Sequence, residues 1–114
     1  MTHIITDLLT AMTYFDDIAY SRQPDDVTGL DKRLRQDIEA LKRLFNVTGD
    51  YFEASEQMKR IMVDDCITLH SIVITMDITA DYFEDIAGSE NPCISDELME
   101  IATVLKAHFN VDQD

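Results

Sequence analysis

The sequence predicts an all-α protein, a four- to five-helix bundle built from two similar helical hairpins joined by a long central helix. Three observations carry this reading. Residues 50–87 run 38 residues without a Gly or a Pro. Apolar side chains recur at helical spacing in each segment between the Gly and Pro clusters. Two segments also repeat each other: residues 5–47 resemble residues 73–111.

The repeat is clearest at two places. Tyr14 to Pro24 aligns with Tyr82 to Pro92 at seven identities in eleven positions, and Leu41 to Val47 aligns with Leu105 to Val111 at five in seven. The offsets are 68 and 64 residues, so the first hairpin has the longer loop. The expectation is an internal duplication within one domain, residues 1–114, with two hairpins related by a rough two-fold.

The first helix is expected from Thr2 to about Tyr20, with Ile5, Leu8, Met12, Phe15 and Ala19 as its buried stripe. Ile4, Leu9 and Ile18 widen it. A loop then runs from Arg22 to Gly29, punctuated by Pro24 and Gly29, where Asp25 or Asp26 can cap the next helix. The second helix is expected over Leu30 to Phe45, with Leu30, Leu34, Ile38, Leu41 and Phe45 inward. Its outer face pairs Asp31 with Arg35, Arg35 with Glu39 and Glu39 with Arg43 at i, i+4 spacing, a self-neutralised solvent face. Gly49 closes the next turn.

The stretch from Asp50 to Ala87 comes next. Tyr51, Met58, Met62, Leu69, Val73, Met76, Ala80, Phe83 and Ala87 succeed one another at steps of seven, four or three. One helix of this length is about 57 Å long. The other reading is two helices with a break near Val63 to Cys66, where Asp64 and Asp65 can cap a new helix and a β-branched run begins. Gly88 to Ile94 reads as a loop containing Pro92, and the last helix is expected after Ser95 as N-cap, with Leu98, Ile101, Leu105 and Phe109 buried.

Composition narrows the function. Hydrophobic residues at 46% exclude a disordered chain. No stretch approaches the ~20 apolar residues of a membrane span. Two cysteines, Cys66 and Cys93, match no disulfide framework or zinc spacing and read as free thiols of a cytoplasmic protein. The net charge of −14 exceeds the magnitude of about 2–8 that keeps a small domain soluble. The acid is uneven: residues 61–114 carry twelve acids against one base, Lys106. Such a chain binds neither nucleic acid nor an anionic membrane by charge. Its partners are expected to be basic surfaces.

No Gly-rich phosphate loop, nucleophile motif or Glu-x-x-His ligand pair is present, so no enzyme, cofactor or metal is expected. Glu53-x-x-Glu56 followed by Glu84-Asp85 faintly resembles the acidic helices of all-α nucleotide pyrophosphohydrolases, but the spacing and the flanking residues do not fit that family. Asp16-Asp17 and Glu84-Asp85 occupy equivalent places in the repeat. Asp17 and Asp85 sit about 160° from Phe15 and Phe83 and so face solvent. Asp77, Asp81 and Asp85 at i, i+4, i+8, with Glu84 beside them, form a rail with about one charge per 3 Å. One DNA strand carries a charge every ~3.4 Å. On a continuous helix Asp64 extends this rail.

The expected function is therefore a non-enzymatic acidic inhibitor that mimics nucleic acid, of the phage or mobile-element type, such as an anti-CRISPR or anti-restriction protein. It would block the basic surface of a nucleic-acid-binding protein or complex. Its contact residues would be Asp77, Asp81, Glu84, Asp85, Asp64, Asp16 and Asp17. The alternative is a secretion chaperone or toxin-immunity protein with an apolar groove, for which Met58, Met62 and Met76 offer an adaptable surface. A homodimer through the long apolar stripe is a further expected state.

Overall fold

The computed structural model describes residues 1–23, 27–85 and 94–111, without the side chain of Asp85. It is all-α. Among the described residues five helices follow in order: α1 (Thr2–Ala19), α2 (Leu30–Leu44), α3 (Tyr51–Arg60), α4 (Leu69–Asp85) and α5 (Ile94–Phe109). No helix among the described residues is long and apolar enough to cross a membrane.

The packing is crossed between the hairpins. α1 lies mainly on α5 and α2 mainly on α4, with smaller contacts inside each hairpin and α3 resting on α4. Repeat-related positions carry the same burial. Ile4 and Ile72, Leu8 and Met76, Ala11 and Thr79, Leu34 and Leu98, and Leu41 and Leu105 are all fully enclosed. The repeated aromatic residues meet each other across the core. Tyr14 and Phe83 have ring centroids 4.9 Å apart, Phe15 and Phe83 5.4 Å, and Phe45 and Phe109 5.6 Å.

The helix ends match as well. Asn46 and Asn110 both take positive φ, 59° and 53°. In each case the following valine N–H reaches back to a lysine carbonyl, Val47 to Lys42 at 2.8 Å and Val111 to Lys106 at 2.9 Å. This is the left-handed helix stop in which asparagine stands where glycine is commoner.

The stretch from Asp50 to Ala87 is two helices, not one spine. α3 begins at a capping box: the Asp50 carboxylate accepts from the Glu53 N–H at 2.9 Å, and the Glu53 side chain accepts from the Asp50 N–H. α3 stops at Arg60. Residues 61–68 form a tight turn closed by an isolated antiparallel bridge between Met62 and Thr68. The break falls where two acids precede the β-branched run, but the acids do not cap the new helix. Asp64 Oδ1 instead accepts from the backbone N–H of Cys66 and Ile67, at 2.7 and 3.0 Å. Thr68 caps α4 through its hydroxyl on the Ser71 N–H, at 3.1 Å.

The β-branched run is helical through the packing of its buried stripe, Ile72, Val73, Met76 and Ala80, and its threonine hydroxyls bond carbonyls one turn back. Thr75 bonds Ser71 at 3.0 Å, and buried Thr79 bonds Thr75 at 2.7 Å.

Two further expectations change. Gly29, in the left-handed conformation at φ 83°, holds the N-cap of α2, while Asp25 and Asp26 lie outside the described residues. Ser95 is not the N-cap of α5 but a buried residue inside it. The loop expected over Gly88 to Ile94 lies outside the described residues except for Ile94, which opens α5 as a buried residue, and residues 112–114 also lie outside them.

Candidate protein-interaction face

α4 positions the acidic residues singled out in the sequence. Its buried stripe of Leu69, Ile72, Val73, Met76 and Ala80 faces the core, and Asp77, Asp81 and Glu84 lie exposed along one flank of it. These three do form one edge of the helix, next to α2. Asp85 ends α4, and its side chain lies outside the described residues.

The edge is not bare. Arg35, from the middle of α2, reaches across to it. Its Nη2 lies 2.6 Å from Asp81 Oδ1 and its Nη1 2.9 Å from Glu84 Oε1. The i, i+4 partner expected for it, Asp31, stands farther off at 3.9 Å. Lys42 pairs with Glu39 at 3.2 Å. The mixed face of α2 is thus not wholly self-neutralised, because its central arginine serves α4. Asp77 has no ion-pair partner among the described residues.

The remaining acids do not join this edge. Asp64 sits in the 61–68 turn with its carboxylate committed to two backbone N–H groups, because the break removes it from the α4 face. Asp16 and Asp17 are half-buried near the end of α1, and Asp17 pairs with Arg22 at 3.4 Å. The Tyr14–Phe83 contact brings this end of α1 to the end of α4, so these two acids share one end of the molecule with Glu84.

The methionine surface does not form. Met58 and Met76 are core residues, and only Met62 of the three is exposed. A groove of about 250 Å³ does lie between α2, α3 and α4. Ile38, Met58 and Val73 line it, with Tyr51, Ile74 and Asp77 among its other lining residues.

A second cluster of titratable groups lies between α1 and α2. Asp7 and Asp37 are both buried, at 8% and 3% exposure. Burial, followed by the hydrogen bond with and charge of Asp7, pushes the Asp37 carboxyl up to about 8; Arg33 and the Met1 amine oppose this. Arg33 Nε lies 3.3 Å from Asp7 Oδ1, and His3 Nε2 lies 3.6 Å from Asp37 Oδ1. Among the described residues, the second carboxyl oxygen of Asp37, Oδ2, has no hydrogen-bond partner. Among the described residues no group of three His, Cys, Asp or Glu is placed to hold a metal ion.

Sequence reasoning missed this pair, although a signal was there. Asp7 lies three residues after Ile4 and four before Ala11, and Asp37 lies three after Leu34 and four before Leu41, so both sit on buried stripes. It also missed Arg35 as a partner of α4, which only the α2–α4 packing reveals.

Fold and face together define an acidic helical bundle with one acid-edged helix turned to solvent. The chain matches no family model, no curated protein and no solved structure.

Proposed function

We propose that the protein is a non-enzymatic acidic interaction protein that blocks a basic, nucleic-acid-binding surface on another protein, with α4 standing in for the nucleic acid. The observation that carries this reading is the edge formed by Asp77, Asp81 and Glu84, exposed on one helix and met, among the described residues, by the guanidinium of Arg35 on Asp81 and Glu84. From Asp77 to Glu84 the helix rises about 10 Å, so the three carboxylates stand about 5 Å apart along it, the same order as the ~3.4 Å charge spacing of one DNA strand. The net charge of −14 supplies the long-range attraction that speeds encounter with a basic partner.

The reading is tested by capture on the immobilised protein, elution in a salt gradient and identification of the proteins that elute. A nucleic-acid-binding protein should elute at moderate salt and be displaced by an added oligonucleotide. The variant Asp77→Asn, Asp81→Asn, Glu84→Gln should retain the wild-type helical content and lose the capture. Capture by this variant at the wild-type level, or binding indifferent to salt, would overturn the reading.

A further inference from the structure

The solvent side of α4 carries apolar groups as well as acids. Ile74 and Ile78, one turn apart, are 36% and 45% exposed. At 100° per residue they centre about 60° around the helix from Asp77 and Asp81. Isoleucine is a poor helix former, so two of them on an exposed face do not serve helix stability. The groove between α2, α3 and α4 adjoins them, and Tyr51, 81% exposed, lines it with Ile74 and Asp77. The face is therefore an apolar strip with an acidic edge. A plain stand-in for a phosphate backbone has no use for the strip.

We propose that α4 and the adjoining groove dock an amphipathic helix of the partner protein, one whose polar edge is basic. This rests on the acidic-interaction reading above and names the partner's element. Charge complementarity selects the occupant. Ile74 and Ile78 take apolar residues at i, i+3 or i, i+4 spacing on the incoming helix. A lysine or arginine beside them lays its aliphatic stem over the groove and brings its charge to Asp77, the acid with no ion-pair partner among the described residues. Arg35 already shows how this edge receives a guanidinium, with Asp81 and Glu84 both within 2.9 Å.

The test uses a fluorescent leucine–lysine amphipathic helix as probe, with an oligo-arginine peptide as the charge-only control. The wild-type protein should bind the amphipathic helix more tightly at physiological salt. Ile78→Asp adds negative charge to the face. It should weaken the amphipathic helix by about tenfold, the loss of one buried aliphatic contact, and leave oligo-arginine unchanged or tighter. Equal binding of the two probes by the wild type, or full binding of the amphipathic helix by Ile78→Asp, would overturn the proposal and leave the acidic reading standing. If Asp77→Asn, Asp81→Asn bound both probes like the wild type, the acidic reading itself would fall. Amide shift mapping on the wild-type protein gives an answer that does not depend on any variant folding. Shifts at Ile74, Asp77 and Ile78 are expected, and shifts confined to other helices would refute the docking face.

Discussion

Asp37 holds a proton that an aspartate in water gives up. Its carboxyl is raised from 3.8 to about 8, first by burial and then by Asp7. The unfolded chain releases this proton near pH 4 and the folded one only near pH 8, so the folded form binds more protons across that window. The stability from this group is present below pH 3.8 and is lost as pH rises through about 8. Asp37→Asn keeps a donor towards Asp7 and has no proton to lose. Relative to the wild type it should gain on the order of a few kcal/mol between pH 4 and pH 8. Denaturant melts across that range check this, and parallel profiles for the two proteins would refute it. The same residues show what sequence reading caught and lost. Most of the stripe residues named for α1, α2, α4 and α5 are the buried ones, because burial follows helical period. Asp7 and Asp37 obey the same period, but their polarity hid them. The exposed acids of α4 were legible from spacing, whereas the arginine that meets them comes from another helix and leaves no local signal.

At the scale of elements, the joint between α3 and α4 is the main departure from expectation. The apolar steps run through it because Met62 and Leu69 are seven residues apart. Yet Met62 is 53% exposed and stands in the turn, not on a buried stripe. Periodicity reports spacing and is blind to the hydrogen bonds that end a helix. Here short polar side chains shape the joint: the Asp64 carboxylate holds the turn and the Thr68 hydroxyl starts the next helix. Asp64→Ala removes two acceptor contacts to backbone N–H groups in an exposed turn. It should cost about 1–2 kcal/mol and speed amide exchange across residues 61–69 ahead of the rest of the chain. Uniform exchange throughout the chain would show that the turn does not depend on Asp64.

For the molecule as a whole, the crossed packing matters more than any one helix. Each hairpin buries its apolar faces chiefly on the other: α1 on α5, and α2 on α4. A hairpin alone has little to pack against, and helices of 15–18 residues gain most of their stability from packing. A fragment of residues 1–49 is therefore expected to show little helix by circular dichroism and to gain it on mixing with residues 50–114. A fully helical, cooperatively melting fragment would contradict this. The order of synthesis turns this arrangement into a delay. During synthesis the first helix is made long before its main partner, at a pace of ~5–20 residues per second. Until α5 has left the ribosome, the apolar stripe of α1 stays uncovered, for several seconds on that scale. The nascent chain is thus at its most vulnerable to aggregation and to proteases while its N-terminal half is complete and still unpartnered.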